Sequence, residues 1–201
     1  MNTLTSRRRS VGLAAGALWL IVISFVFIIW SLVAIGTPMS KNILIGMLIL
    51  LCILIAICVI VLRAALVLPQ DIEQRSKEEQ KIGRRFAFIV GAEVLAFAVV
   101  NTFAGITRNF ELMPSLNLII VGIHFFPLAK IFRVQRYFYT GLFFCAIPAA
   151  TLLAIPKQFA IGQTLAWYIV PSLGCGLVAS LTAVEGLREA WQTISKIRDT
   201  L

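Results

Sequence analysis

Glu93 and His124 are ionisable residues set inside long apolar runs, FIVGAEVLAF and IIVGIHFFPLAK, and His124 is the only histidine of the chain. An ionisable side chain at bilayer depth costs about 2.5–3.5 kcal/mol on insertion scales, so each one needs a physical reason. A carboxylate beside an imidazole favours the charged form of both, whereas removal of water favours the neutral form of both; together these give a shared proton and coupled titration. Such a pair can bind a cation or pass a proton. It can equally be a hydrogen-bonded rung between two helices, worth about 1 kcal/mol. Pro127 adds an acceptor beside it, because a proline without an amide proton frees the carbonyl four residues earlier, that of Ile123. Asn101 and Asn117 lie in the outer halves of the same two runs, Asn117 on the face of His124 and Asn101 near that of Glu93. They can line a polar track toward the Glu93/His124 level or bond to each other across two helices.

Other chemistry is poorly supplied. The sequence holds no Ser-His-Asp set, HExxH, GxxxxGK or GxSxG pattern, and one histidine cannot serve a two-histidine metal or haem site. No catalytic residue, metal or cofactor is therefore expected, and the chain reads as a non-enzyme. Cys52, Cys58, Cys145 and Cys175 all fall in apolar runs without CxxC or CxxH spacing, which suits packing residues. A Glu93, His124 and Cys145 metal site would draw one ligand from each of three helices with no local spacing signature.

The elements that must position these residues are six nearly uncharged runs, about 11–35, 43–68, 86–105, 115–132, 137–155 and 162–187, each near the ~20 residues of a spanning helix. With 60% hydrophobic and 13% charged residues and a mean hydropathy of +0.94, the chain is no ordinary soluble domain. The expected fold is all-α: a polytopic membrane domain of six transmembrane helices over 1–201. Basic residues stay on the cytoplasmic side during insertion. Arg7 to Arg9, Arg63 to Arg85, Lys130 to Arg136 and Arg188 to Arg198 are thus read as inside, with only Lys41, Arg108 and Lys157 outside. Both termini then lie in the cytoplasm, and Glu93 and His124 share a depth about 10 Å from the inner boundary. The net charge of +9 is spread over topology signals, so no nucleic-acid partner is expected; lipid is the expected surroundings.

Between the spans, Gly36 to Ser40 forms a turn that makes the first two an antiparallel hairpin. Residues 70–85, with charges of both signs at helical spacing, form a polar cytoplasmic segment that solvates one face or docks a partner. The tail 188–201 sets Trp191, Ile194 and Ile197 on an amphipathic stripe. Pro127, Pro148 and Pro171 fall in the last three spans and none in the first three, so the second half is the expected cavity wall. Gly12 and Gly16, and Gly176 and Ser180, have small-xxx-small spacing for contacts within the bundle or between protomers.

The segment Ile119 to Lys130, followed by Tyr139-Thr140-Gly141, resembles a family of uncharacterised bacterial multi-pass membrane proteins with an IVGxHFxPLA signature in the fourth helix. The resemblance implies a six-helix protein of the bacterial inner (plasma) membrane and gives His124 and Pro127 added weight; it implies no activity. Two functional classes follow: a small binding or transport protein for a solute, ion or proton, or a non-transporting structural or regulatory subunit acting through helix packing and its 70–85 segment. Whichever holds, an impermeant thiol reagent added to intact cells is expected to label Arg108→Cys and Lys157→Cys but not Arg188→Cys; equal labelling of all three would discard the assigned topology.

Overall fold

The computed structural model describes residues 3–34, 41–67, 77–132, 134–162 and 164–198. Over them the chain is all-α, with α1 Thr3–Ala34, α2 Lys41–Val67, α3 Lys77–Thr107, α4 Met113–Phe132, α5 Gln135–Ala154 and α6 Ala166–Arg198. The exceptions are a 3-10 turn, Phe110–Leu112, and a two-stranded antiparallel hairpin of β1 Ala160–Ile161 and β2 Thr164–Leu165. Four stretches, Ile82–Thr107, Phe110–Phe132, Gln135–Ala154 and Ala166–Lys196, are long and apolar enough to cross a membrane; α1 and α2 contribute shorter apolar stretches, Gly16–Ile29 and Ile49–Ala64. This composition fits a membrane protein.

Helix ends differ from the apolar runs where charge and apolar content part company. Residues 77–85 are the first turns of α3 and 188–198 the last turns of α6. Lys, Glu, Gln and Arg are good helix formers, so hydrogen bonding continues past the point where hydropathy falls. The sixth helix starts at Ala166 and not at 162, because Pro156 opens a turn in which the Phe159 amide donates to the Pro156 carbonyl, 2.9 Å. The chain then reverses at Gly162, whose φ of 64° suits a residue without Cβ. The expected turn at 36–40, residues 70–76 and the tail beyond 198 lie outside the described residues.

The helices group into two compact units. One comprises α1 as far as Val26, α2, and α6 from Ala179 onward; the other comprises the end of α1, α3, α4, α5 and α6 as far as Val178. In the first, α1 buries Leu13, Ala14, Ala17, Leu20, Ile21, Ser24 and Phe25, a stripe at three- and four-residue spacing. From α6, Ala179, Ala183, Leu187, Ala190 and Ile194 form the matching stripe. The two meet directly: the Ser24 and Ser180 hydroxyls bond to each other, and a Cβ on Gly186 would lie 3.6 Å from that of Ala17.

In the second unit the closest backbone approach is between α4 and α5, at Gly122 and Gly141. A Cβ on Gly141 would stand 2.7 Å from the Gly122 carbonyl oxygen, and one on Gly122 would stand 2.6 Å from Cys145 Sγ and 2.9 Å from the Gly141 carbonyl. Around this point Phe125 meets Tyr137 at a tilt and Phe144 edge-on, with centroids 5.8 and 5.7 Å apart, and Phe126 meets Phe138 at 5.3 Å. On the other side of α5, Gly174 of α6 admits Ile147, whose Cγ2 would be 2.9 Å from an added Cβ.

The start of α6 is tied by polar bonds. Trp167 Nε1 donates to the Ile155 carbonyl at the end of α5, 3.0 Å. Pro171 cannot supply an amide to the Trp167 carbonyl, and the buried Ser115 hydroxyl at the start of α4 supplies it instead, at 3.4 Å. Lys157 forms an ion pair with Glu111, joining the α3–α4 connection to the α5–α6 connection.

The glycine contact makes a contrast that can be measured. Gly141→Ala pushes Cβ into rigid backbone and is expected to cost about 1–3 kcal/mol. Gly91→Ala, on an open face of α3 with nothing within 4 Å, is expected to be neutral or to stabilise by up to about 1 kcal/mol. Unfolding of both variants in mild detergent checks this, and equal effects would show that the α4–α5 approach does not matter.

Candidate functional site

α3 ends in a tight cap that sets up the site. The Asn109 amide donates to the Ala104 carbonyl at 3.1 Å and the Arg108 amide to Gly105 at 3.4 Å, with Arg108 at φ 56°. This is a Schellman arrangement, with arginine in the left-handed position that glycine usually takes. One 3-10 turn later α4 begins, and Pro114 in its first turn needs no amide partner. So short a connection forces α3 and α4 to run antiparallel side by side, which fixes which residues can meet.

Three cross-helix pairs follow in one register. Phe86 packs edge-on against Phe132, centroids 6.0 Å apart. Next comes His124 Nδ1, 3.0 Å from Glu93 Oε2, with the side chains only 12% and 17% exposed. Last, Asn117 Nδ2 donates to Asn101 Oδ1 at 3.0 Å. Along α3 these positions step by seven and eight residues, and along α4 by eight and seven, so one helical face of each carries the whole seam.

The ionisable rung is close but not aligned. His124 Nδ1 has the carboxylate at ion-pair distance yet no hydrogen-bond partner, as a bond at 3.0 Å must also point along the N–H direction. Asn117 Oδ1 is likewise buried without a donor. A buried orphan of this kind costs about 1–3 kcal/mol. Two such atoms on one face of α4, an acceptor and a ring nitrogen, mark this seam as the polar centre of its unit. Three other hydroxyls are satisfied locally: Ser31, Thr140 and Thr151 donate to carbonyls one turn back in their own helices.

Pro127 lies inside α4 and faces a groove of about 590 Å³ between the ends of α3 and α4, where Ile89 faces it from α3. The groove stops one turn short of the ionisable pair, since Ile89 is four residues before Glu93 and Pro127 three after His124. Cys145 does not join the pair; its thiol points at the Ile119 carbonyl, 3.8 Å away. Among the described residues no three His, Cys, Asp or Glu side chains are placed to hold one metal ion.

Of the small residues singled out for packing, Ser180 bonds to Ser24, Gly176 is buried and Gly16 is half-buried; the surroundings of Gly12 lie outside the described residues. Sequence reasoning passed over Gly122 and Gly141, although Gly141 and Cys145 have the small-xxx-small spacing that would have flagged them. It also passed over Ser115, for which no local signal exists.

Comparison with protein-family models, with curated proteins and with solved structures gave no match. The geometry of the α3–α4 seam therefore carries the functional argument.

Contact across the ionisable rung should appear as energetic coupling. In a double-mutant cycle of Glu93→Leu and His124→Leu, unfolding in detergent is expected to give a coupling of about 1 kcal/mol, with the double variant less damaged than the sum of the singles. Strict additivity would mean that the two side chains do not interact.

Proposed function

We propose that the chain is a small membrane-embedded binding or transport protein in which Glu93 and His124 form a protonatable site. In this reading six spans cross the bacterial plasma membrane with both termini cytoplasmic, as the distribution of basic residues favours. The observation that carries it is the 3.0 Å approach of Glu93 to His124 between two apolar helices. A purely structural rung needs no ionisable groups; an asparagine pair suffices, as at Asn101 and Asn117 on the same seam. A carboxylate and an imidazole add the ability to gain and lose a proton.

Each residue has a role in this reading. Glu93 and His124 hold the proton or cation. Pro127 leaves the Ile123 carbonyl without its helical donor, one position from His124. Asn101 and Asn117 continue the polar seam toward the opposite membrane face. The groove that ends at Ile89 and Pro127 reaches to within one turn of the pair from the side read as cytoplasmic. The resemblance of 119–130 to the IVGxHFxPLA family adds weight to His124 and Pro127.

A second reading rests on the flank of α3. Val94, Leu95, Val99, Phe103 and Ile106 are each more than half exposed. Such a surface suits lipid, but it also suits another membrane protein or a second copy of this chain, and a regulatory subunit would use it.

Vesicles separate the two. Full-length protein reconstituted with a pH-sensitive dye inside is expected to carry protons down an imposed gradient. Glu93→Gln and His124→Ala should each slow this by about tenfold or more, the equivalent of one charged hydrogen bond of about 1.5–3 kcal/mol. Uptake unchanged in both variants, or no different from protein-free vesicles in the parent, would leave the subunit reading.

A further inference from the structure

The groove at the ends of α3 and α4 has a charge that the proton site does not use. Arg84 and Arg85 enter it from α3 and Lys130 from α4, beside the apolar surfaces of Phe88, Pro127 and Ile131. All three cations are exposed, and none is in an ion pair among the described residues. Among the described residues no acid lines the groove. Between Ile82 and Phe132 the only acids are Glu93, more than two turns from Arg84, and Glu111 at the other end of the two helices.

From this we infer that the groove binds the phosphate of an anionic phospholipid. Its position is right: Arg84 and Lys130 are within two residues of the ends of the apolar stretches Ile82–Thr107 and Phe110–Phe132, where a bilayer's phosphates lie. The chemistry also matches. Guanidinium groups present paired N–H donors to phosphate oxygens, and a lysine ammonium adds a mobile point charge. Three cations in a groove with no acid in its lining favour an anionic headgroup over a zwitterionic one, because the choline or ethanolamine of the latter brings a fourth cation.

Shape decides between a lipid and a free phosphate. A volume of about 590 Å³ would be left mostly empty by an inorganic ion. Phe88, 77% exposed, offers an apolar wall that an ion cannot use but glycerol and the first methylenes of an acyl chain can. The bound lipid would bridge α3 and α4 on the side away from the Arg108 cap, next to the Phe86–Phe132 contact.

The test uses the full-length protein in micelles containing equal amounts of phosphatidylglycerol and phosphatidylcholine, with retained lipid read by native mass spectrometry. The parent is expected to retain phosphatidylglycerol in preference, and Arg84→Gln, Arg85→Gln and Lys130→Gln together to lower that retention by about tenfold or more. A charge-matched variant, Arg63→Gln, Arg188→Gln and Lys196→Gln, is expected to keep it. Lys130→Gln alone leaves α3 untouched and is expected to lose about fivefold, which keeps the test available if the triple variant does not fold. Millimolar inorganic phosphate should not displace the lipid. Equal loss in both triple variants would reduce the effect to diffuse charge, equal retention of the two lipids would remove the selectivity, and displacement by phosphate would assign the groove to the free ion; each overturns the proposal.

Discussion

The short link between α3 and α4 constrains everything around the ionisable pair. Arg108 turns the chain in a left-handed conformation that an ordinary side chain adopts at a cost of about 1–2 kcal/mol. The return is that two carbonyls at the end of α3 are satisfied and α4 starts within one 3-10 turn. With the helices started in this register, Asn101 meets Asn117 near the link, Glu93 meets His124 two turns on, and Phe86 meets Phe132 at the far end. A link longer by even a few residues would free the helices to slide by a turn, and an ionisable group would then face lipid alone.

An apolar surrounding makes each unpaired polar atom expensive, and the second unit shows two solutions. Where a proline removes a donor at Pro171, Ser115 reaches across from α4 and supplies one to the Trp167 carbonyl. Along the α3–α4 seam satisfaction is incomplete: Asn117 Oδ1 and His124 Nδ1 stay open. The bond at Ser115 closes its position within the fold, whereas the α3–α4 seam keeps two buried polar atoms without partners.

Legibility followed the same division. The apolar runs could be read directly, since a run of about twenty uncharged residues has few soluble explanations. The meeting of Glu93 with His124 could be anticipated from equal depth and a short connection, and that of Asn101 with Asn117 from the same periodicity. Helix ends could not, because Lys77 to Arg85 and Arg188 to Arg198 are helical by propensity, whatever their polarity. Ser115 was invisible for another reason: its partner carbonyl is 52 residues away, and only the packed helices bring them together. Gly122 and Gly141 fall between these cases. Their small size was on view, but the sequence held other small-residue spacings with equal claim, at Gly12 and Gly16 for example.

α4 is the helix on which this unit turns, because its two sides are held so differently. Toward α5 it is in backbone contact, with no room for a Cβ at Gly122 or Gly141 and aromatic rings on either side. Toward α3 its polar and aromatic contacts are one aligned amide bond, one Glu93–His124 approach without hydrogen-bond alignment and one aromatic edge. Packed cores and glycine contacts resist small displacements, whereas a seam of a few polar rungs in an apolar medium has alternatives of similar energy. In the proposed reading, a change of charge on the Glu93–His124 rung would act on α3 sooner than on α5. A displacement of α3 against α4 would change the width of the groove at its charged end. A lipid phosphate held there by Arg84, Arg85 and Lys130 would couple that movement to the composition of the leaflet, since it binds both helices at once and is lost when they separate.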